Sequence, residues 1–293
     1  MIILPVGVEY EARRYPVVTF TLMGINVVVF LGQIVAGISG VGMDVLMNFG
    51  LVPANHGWWA WITSTFLHGG LFHLLGNLVY LFLFGSCVED IIGRGKFLAF
   101  YLGGGLIANA IQVVFGTDLN SHIPIVGASG AISACIGAFL VMLPKTEINF
   151  RYLIFWFYFG EFSLRSWIVI SFWFLMDFVA FLIDLNNPTD GGGVAFGAHV
   201  GGTIAGVLTM LIARKRASDE PTSSPRPATL RPVPVSLAVD PAGTLPVYLS
   251  IDGNQTGPFP PASVRGMLEL GSIPSTAYFW REDMTEWRPV NEI

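Results

Sequence analysis

Six stretches of the chain are apolar over the length, or nearly the length, that a membrane span demands. They cover 17–37, 71–88, 97–115, 128–143, 167–183 and 193–213. A helix rises 1.5 Å per residue, so ~20 apolar residues cross the ~30 Å hydrocarbon core of a bilayer. Composition agrees: 53% of the 293 residues are apolar and 12% are charged, about half the charged share of a soluble domain. Mean hydropathy is +0.63. The apolar residues are unevenly spread, because the chain beyond Arg216 reads as soluble. The net charge of −5 therefore says little about partners. The first run follows Glu9, Glu11, Arg13 and Arg14 and is long enough to span, so it reads as a membrane helix and not as a cleavable signal. Cys87 and Cys135 both fall in apolar runs and read as small core residues, with neither a disulfide nor a metal site expected.

Basic residues set the expected orientation. Arg13 and Arg14 precede the first span, Arg94 and Lys96 lie between the second and third, and Lys145, Arg151 and Arg165 between the fourth and fifth. Arg214, Lys215 and Arg216 follow the sixth. The loops around 38–70, 116–127 and 184–192 hold no lysine or arginine. This positive-inside pattern predicts cytoplasmic termini and outward-facing alternate loops. The segment 152–164 is apolar and aromatic but holds Glu161, with Arg151 and Arg165 at its flanks. It reads as lying against the inner interface, because a crossing would break the charge rule.

Polar residues inside a bilayer are costly, so each calls for a reason. The second span carries His73 and Asn77, the fourth opens with Gly127-Ala128-Ser129-Gly130, and the sixth contains His199 followed by Gly202 and Gly206. Counted back from the cytoplasmic ends, Ser129 and His199 each stand fourteen residues up, or ~21 Å. His73 stands fifteen residues up, or ~22 Å, and Asn77 one turn lower. All four are expected at similar depth, roughly 9 Å below the outer boundary of a ~30 Å core. Gly127 and Gly130, with Gly202 and Gly206, are small residues that let helix backbones approach closely in lipid. Such an approach brings His199 toward Ser129.

The chemistry then has its parts. Serine is a weak nucleophile until a base takes its proton, and histidine is the usual base. Ser129 falls at an expected helix N-terminus, where unpaired N–H groups favour negative charge. His73 and Asn77, four apart, share one helix face and are candidate donors to the same oxyanion. Asp177 counts to mid-membrane, too deep to orient His199 easily, and reads as protonated or paired in the bundle. Asp184 closes the fifth span where water solvates it. A dyad therefore fits better than a triad. His68 reads as structural, Asn109 and Gln112 as interhelical hydrogen-bonders, and Glu89 and Asp90 as cytoplasmic boundary residues. The blander reading of Ser129 by itself is helix-packing glue.

These motifs resemble the rhomboid family. Gly127-Ala128-Ser129-Gly130 looks like the family's Gly-x-Ser-Gly, and His73-Leu74-Leu75-Gly76-Asn77 is similar to its His-x-x-x-Asn. Ala198-His199 with Gly202 and Gly206 resembles its last helix, and Val88-Glu89 with Gly93 the polar end of its second. The resemblance covers about 15–215. It implies a Ser–His dyad, no cofactor or metal, and hydrolysis of peptide bonds in or beside transmembrane helices of substrate proteins. Where some members carry an aromatic residue that packs on the base imidazole, one turn after the nucleophile, this chain has Ser133.

Beyond 216 the composition shifts. Residues 217–246 hold seven prolines and read as a linker. Residues 247–293 show a strand at 247–251, a turn at Asp252-Gly253, a short helix over 262–270 stopped by Gly271, and a second strand at 277–281. Gly257-Pro258-Phe259 and the Trp280…Trp287-Arg288-Pro289 run resemble a bacterial GYF-like domain, which implies a proline-rich peptide as ligand. The expected architecture is an all-α, six-helix membrane bundle over 1–216, a linker over 217–246, and a small α+β soluble domain over 247–293. Two function classes follow: an intramembrane serine endopeptidase, or a non-catalytic membrane adaptor that presents the tail. The expected location is a bacterial inner membrane, with the site toward the outer leaflet and no nucleic-acid partner.

Overall fold

The computed structural model describes residues 2–55, 57–116, 122–154, 158–186, 193–219, 245–251 and 254–293. Its contacts divide the chain into two units, Met1–Arg216 and Ala217–Ile293. The predicted linker lies largely outside the described residues, as does the predicted Asp252-Gly253 turn.

In the first unit, strand β1 (Ile2–Val8) precedes helices α1 (Val17–Ile38), α2 (Gly42–Phe49) and α3 (Ala60–Thr63), the last running into a 3-10 turn at Ser64–Phe66. Helix α4 (Leu71–Tyr80), a π turn (Leu81–Gly85) and α5 (Ser86–Ile92) form one continuous span. Helices α6 (Arg94–Phe115) and α7 (Ser129–Met142) follow, then strands β2 (Glu147–Ile154) and β3 (Tyr158–Arg165), then α8 (Ser166–Asn186) and α9 (Phe196–Asp219). Among the described residues five helices are long and apolar enough to cross a membrane: 17–38, 71–92, 94–115, 166–186 and 196–215. The sixth expected span is shorter. Helix α7 has 14 residues, ~21 Å at 1.5 Å per residue, less than a ~30 Å core. It is instead the most enclosed helix, with nine of its residues buried from Gly130 to Phe139. Neighbouring helices, not lipid, surround it.

The all-α expectation needs one correction. Strands β1, β2 and β3 form an antiparallel sheet in that order. The 152–164 segment, read as an apolar stretch on the interface, is largely the β2–β3 hairpin. The physical reason is a period of two: Ile148 and Phe150 are buried while Arg151 is exposed. Phe150 faces Phe162 in register with stacked rings 5.2 Å apart, and Arg151 faces and pairs with Glu161.

Glu89 and Asp90 also depart from expectation. Glu89 is 2% exposed, and its carboxylate accepts from the Val18 N–H (2.9 Å), the Thr19 N–H (2.7 Å) and the Thr19 hydroxyl (2.7 Å). Helix α1 starts after Pro16 with no side-chain cap of its own. A carboxylate from α5 thus supplies the cap and complements the positive end of the α1 dipole. Asp90 accepts from the Tyr10 hydroxyl at 2.6 Å and the Arg13 N–H at 3.0 Å. Burial, and then the bond to Asp90, push the Tyr10 phenol up to about 12. Each buried donor left unpaired costs ~1–3 kcal/mol, so Glu89 fastens the first turn of α1, and Asp90 the segment before it, to the end of α5.

The second unit has a four-stranded sheet in the order β5 (Asn254–Phe259), β4 (Val247–Ile251), β6 (Tyr278–Trp280), β7 (Arg288–Pro289), with helix α10 (Pro261–Glu269) against it. The expected strands and helix appear within a few residues. Gly271, at φ +67°, follows the end of α10, and the Ser272 N–H bonds back to Met267 O at 2.8 Å. Leu249 and Phe279 face the core, while their neighbours Tyr248 and Trp280 pair in register on the other face.

Candidate functional site

The loop before α7 is pinned from two sides. Leu51 and Ile125 exchange backbone hydrogen bonds at 3.1 and 2.9 Å, and the Gly127 N–H donates to Ser64 O at 2.9 Å. Gly127 has φ +122°, a conformation that L side chains rarely adopt. A Cβ there would also lie 2.7 Å from Cε1 and 2.8 Å from Nε2 of His73. Glycine is required for both reasons. The chain then enters α7 at Ser129, with no side-chain cap. The helix's first internal bond is Ile132 N–H to Ala128 O, so the N–H groups of its opening turn have no intrahelical acceptor.

His73 and Asn77 meet this corner from α4. The Gly69 N–H donates to His73 Nδ1 at 3.3 Å, which leaves the proton of the neutral ring on Nε2, the nitrogen beside Gly127. Asn77 is buried and gives one amide hydrogen to His73 O at 2.9 Å. Its Nδ2 is 3.8 Å from the Cβ position of Gly127 and keeps a second hydrogen.

His199 lies in the first turn of α9, which is held by a close crossing of α7 and α9. A Cβ at Gly202 would overlap Gly130 O, one at Gly206 would overlap Ala134 O, and one at Gly137 would overlap Thr203 O. The two backbones interlock with no side chain between them. His199 lies three residues before Gly202 and so on the same helix face, while Ser129 adjoins Gly130. Gln112 on α6 accepts the Ala198 N–H at 3.0 Å and anchors the start of α9.

Ser129, His199, His73 and Asn77 all line one cavity of about 1200 Å³. Among the described residues no hydrogen bond joins the Ser129 hydroxyl to His199; catalytic contacts are often long in an unliganded site. Asn109 donates to Trp61 O and Ser64 Oγ, and Gln112 accepts from the Ala198 N–H, so both make inter-element hydrogen bonds as expected. His68 is structural in its contacts: its backbone exchanges two hydrogen bonds with the Gln33 amide, at 2.9 and 3.1 Å. Burial, and then neighbouring His73, push its imidazole down to about 4, so it is neutral at ordinary pH.

Asp177 is a correction. Its Oδ2 lies 3.4 Å from His199 Nδ1, although its count along the chain had set it too deep. Helix α8 begins at Ser166 and Asp177 is eleven residues on, ~17 Å against ~21 Å for His199. That offset is less than one helical turn, which two side chains bridge.

A model of the rhomboid domain matches residues 55–216, more than half the chain. The chain belongs to the rhomboid family. A model named GYF domain 2 matches residues 248–293. The rhomboid relatives include YdcA of Bacillus subtilis (strain 168), which bears a rhomboid-protease name and is 37% identical over 133 residues, 45% of this chain and 64% of that protein. Rhomboid protease GluP of the same organism is 33% identical over 141 residues, 46% of this chain and 27% of its own length. The human mitochondrial presenilin-associated rhomboid-like protein is 34% identical over 92 residues, 31% of this chain and 24% of its own. The chain thus spans less than two thirds of each of these relatives.

The motif residues were readable from spacing, whereas the partners of Glu89, Gln33 and Asp177 were not, because those partners are 35 or more residues away or lie on other helices. The α7–α9 crossing yields a direct prediction. Gly202→Ala places a methyl on the Gly130 carbonyl, and overpacking of this kind costs ~1–3 kcal/mol. The expected result is a lower thermal unfolding midpoint in detergent for a protein that still inserts. A wild-type midpoint would show that the two helices can separate freely.

Proposed function

We propose that this rhomboid is an intramembrane serine endopeptidase that cleaves peptide bonds in or next to transmembrane helices. The observation that carries this reading is the shared cavity, in which a serine at an uncapped helix N-terminus, a histidine, and two side-chain donors converge. Ser129 Oγ attacks the scissile carbonyl as His199 takes its proton. The oxyanion receives hydrogen bonds from the Ser129 N–H, His73 Nε2 and Asn77 Nδ2. His199 then returns the proton to the leaving amine nitrogen as the C–N bond breaks, and water hydrolyses the acyl-enzyme by the same base. No cofactor or metal has a part in these steps. The apolar spans make the protein integral to a membrane. We place it in a bacterial inner membrane, both termini cytoplasmic and the cavity toward the outer leaflet, on the distribution of basic residues. The partners are then transmembrane protein substrates and the bilayer, with no role for nucleic acid.

In the tail we assign the face formed by Tyr248, Trp280 and Trp287 to a proline-rich cytoplasmic segment. Rings 5.9 and 6.5 Å apart, partly exposed and opposite the core, suit the docking of such a segment. The domain boundaries proposed are 1–216, 217–246 and 247–293.

Ser129→Ala and His199→Ala are each expected to abolish cleavage of a single-span substrate in liposomes. A tenth of wild-type rate in Ser129→Ala would remove it as nucleophile and favour the adaptor reading. His73→Ala and Asn77→Ala are expected to lose ~10²–10³ in kcat, the usual effect of one oxyanion donor. Wild-type rates in both would confine them to structure. For orientation, single cysteines placed in 122–125 should react with an impermeant thiol reagent from outside, and cysteines in 145–149 should not; the reverse pattern overturns the topology. For the tail, titrating the full chain with a proline-rich peptide should saturate, and Trp280→Ala should weaken binding about tenfold or more, consistent with hot-spot aromatics. Equal affinity in that variant would exclude the assigned face.

A further inference from the structure

We propose that Asp177 is a positioning residue for His199, so that this protein works with a Ser129–His199–Asp177 triad. The inference rests on the assignment of Ser129 and His199 above. Three observations carry it. First, Asp177 Oδ2 is 3.4 Å from His199 Nδ1, with side chains 31% and 18% exposed. A usual N–H···O bond is ~2.9–3.0 Å, so a small closure completes it, and such bonds tighten as the reaction proceeds. Second, Asp177 is a carboxylate in the middle of a helix long and apolar enough to span a membrane. An ionisable group there is costly and calls for a partner. Among the described residues its ion-pair partner is His199. Third, among the described residues the imidazole has no other hydrogen-bonding partner. One turn after Ser129, helix α7 offers Ser133, which lines the cavity and has no ring. Phe196 meets the His199 ring edge-on at 6.2 Å and 80°, which restrains its plane but provides no acceptor for Nδ1.

A carboxylate beside Nδ1 selects the tautomer. Nδ1 carries the hydrogen and Nε2 keeps the lone pair that a general base requires. In the acylation step the Ser129 Oγ–H proton moves to Nε2 and the Oγ–C bond forms, with the carbonyl π pair moving onto oxygen. Asp177 takes no proton; its negative charge stabilises the imidazolium until Nε2 protonates the departing amine nitrogen. The other ionisable groups lining the cavity are His73, Tyr80 and Asp184. Of these His73 is engaged with Gly69, and Asp184 is two turns along α8 from Asp177. The wrong tautomer costs ~10⁴-fold in a fully enclosed triad. This pair is longer and partly exposed, so a smaller effect is expected.

The test uses the full-length protein in liposomes. Asp177→Asn is expected to lower kcat by roughly 10–10²-fold, a fraction of the tautomer effect, with KM within about twofold. Asp177→Glu should restore part of kcat, because the carboxylate returns with one added methylene. The second arm measures modification of Ser129 by a fluorophosphonate. Asp177→Asn should slow it in the wild-type background but add nothing to His199→Ala, since residues acting as a unit are non-additive. Wild-type kcat in Asp177→Asn, or an equal slowing in both backgrounds with a lowered unfolding midpoint, overturns the triad and makes Asp177 structural or idle. Cleavage that survives His199→Ala instead sinks the assignment of the base, and the triad with it.

Discussion

The crossing of α7 over α9 is the constraint on which the site depends. Lipid supplies no hydrophobic drive between helices, so spans associate through close packing and polar contacts. Here the approach is backbone to backbone, since any Cβ at Gly137, Gly202 or Gly206 would overlap a carbonyl of the facing helix. Such a contact has one register. Gly130 meets Gly202, and the residues next in line, Ser129 and His199, are delivered to one cavity. Longer side chains would separate the helices and let them slide. The proposed chemistry therefore depends as much on missing methyl groups as on the serine and histidine.

Around this crossing, several polar residues that would be costly in a bilayer are given a partner. Asn109 ties α6 to the turn that ends α3, and the same turn holds Gly127 through Ser64. Gln112 fastens the start of α9, and Gln33 fastens the strand of chain carrying His68 to α1. Glu89 caps α1 from across the bundle. The result is a cross-tied frame around the cavity. Under the proposed function, such a frame aims hydrogen-bond donors before substrate arrives, the condition for oxyanion stabilisation without reorganisation.

Much of this was legible beforehand. The spans followed from apolar length, and the shared level of Ser129, His199, His73 and Asn77 from counting at 1.5 Å per residue. The motif spacing then pointed to the family that the domain match shows. What counting could not supply was a common origin for the helices. Helix α9 runs on to Asp219, beyond the expected end at 213, and α7 is too short to span. An error of one turn was enough to misplace Asp177. The β1–β2–β3 sheet was missed because β1 is a partner distant in sequence.

By itself, the sequence determined the class of the molecule. Runs of ~20 apolar residues must leave water, basic residues bias the loops, and a serine, two histidines and an asparagine in apolar helices demand a purpose. These are properties of single segments and need no knowledge of neighbours. Only the tertiary structure decided which segments touch. That Glu89 caps α1, that His73 Nε2 faces Gly127, and that Asp177 meets His199 Nδ1 depend on the tilt and rotation of helices joined by packing. Helix tilt and rotation are set by the neighbours a helix packs on, and those neighbours come from distant parts of the chain.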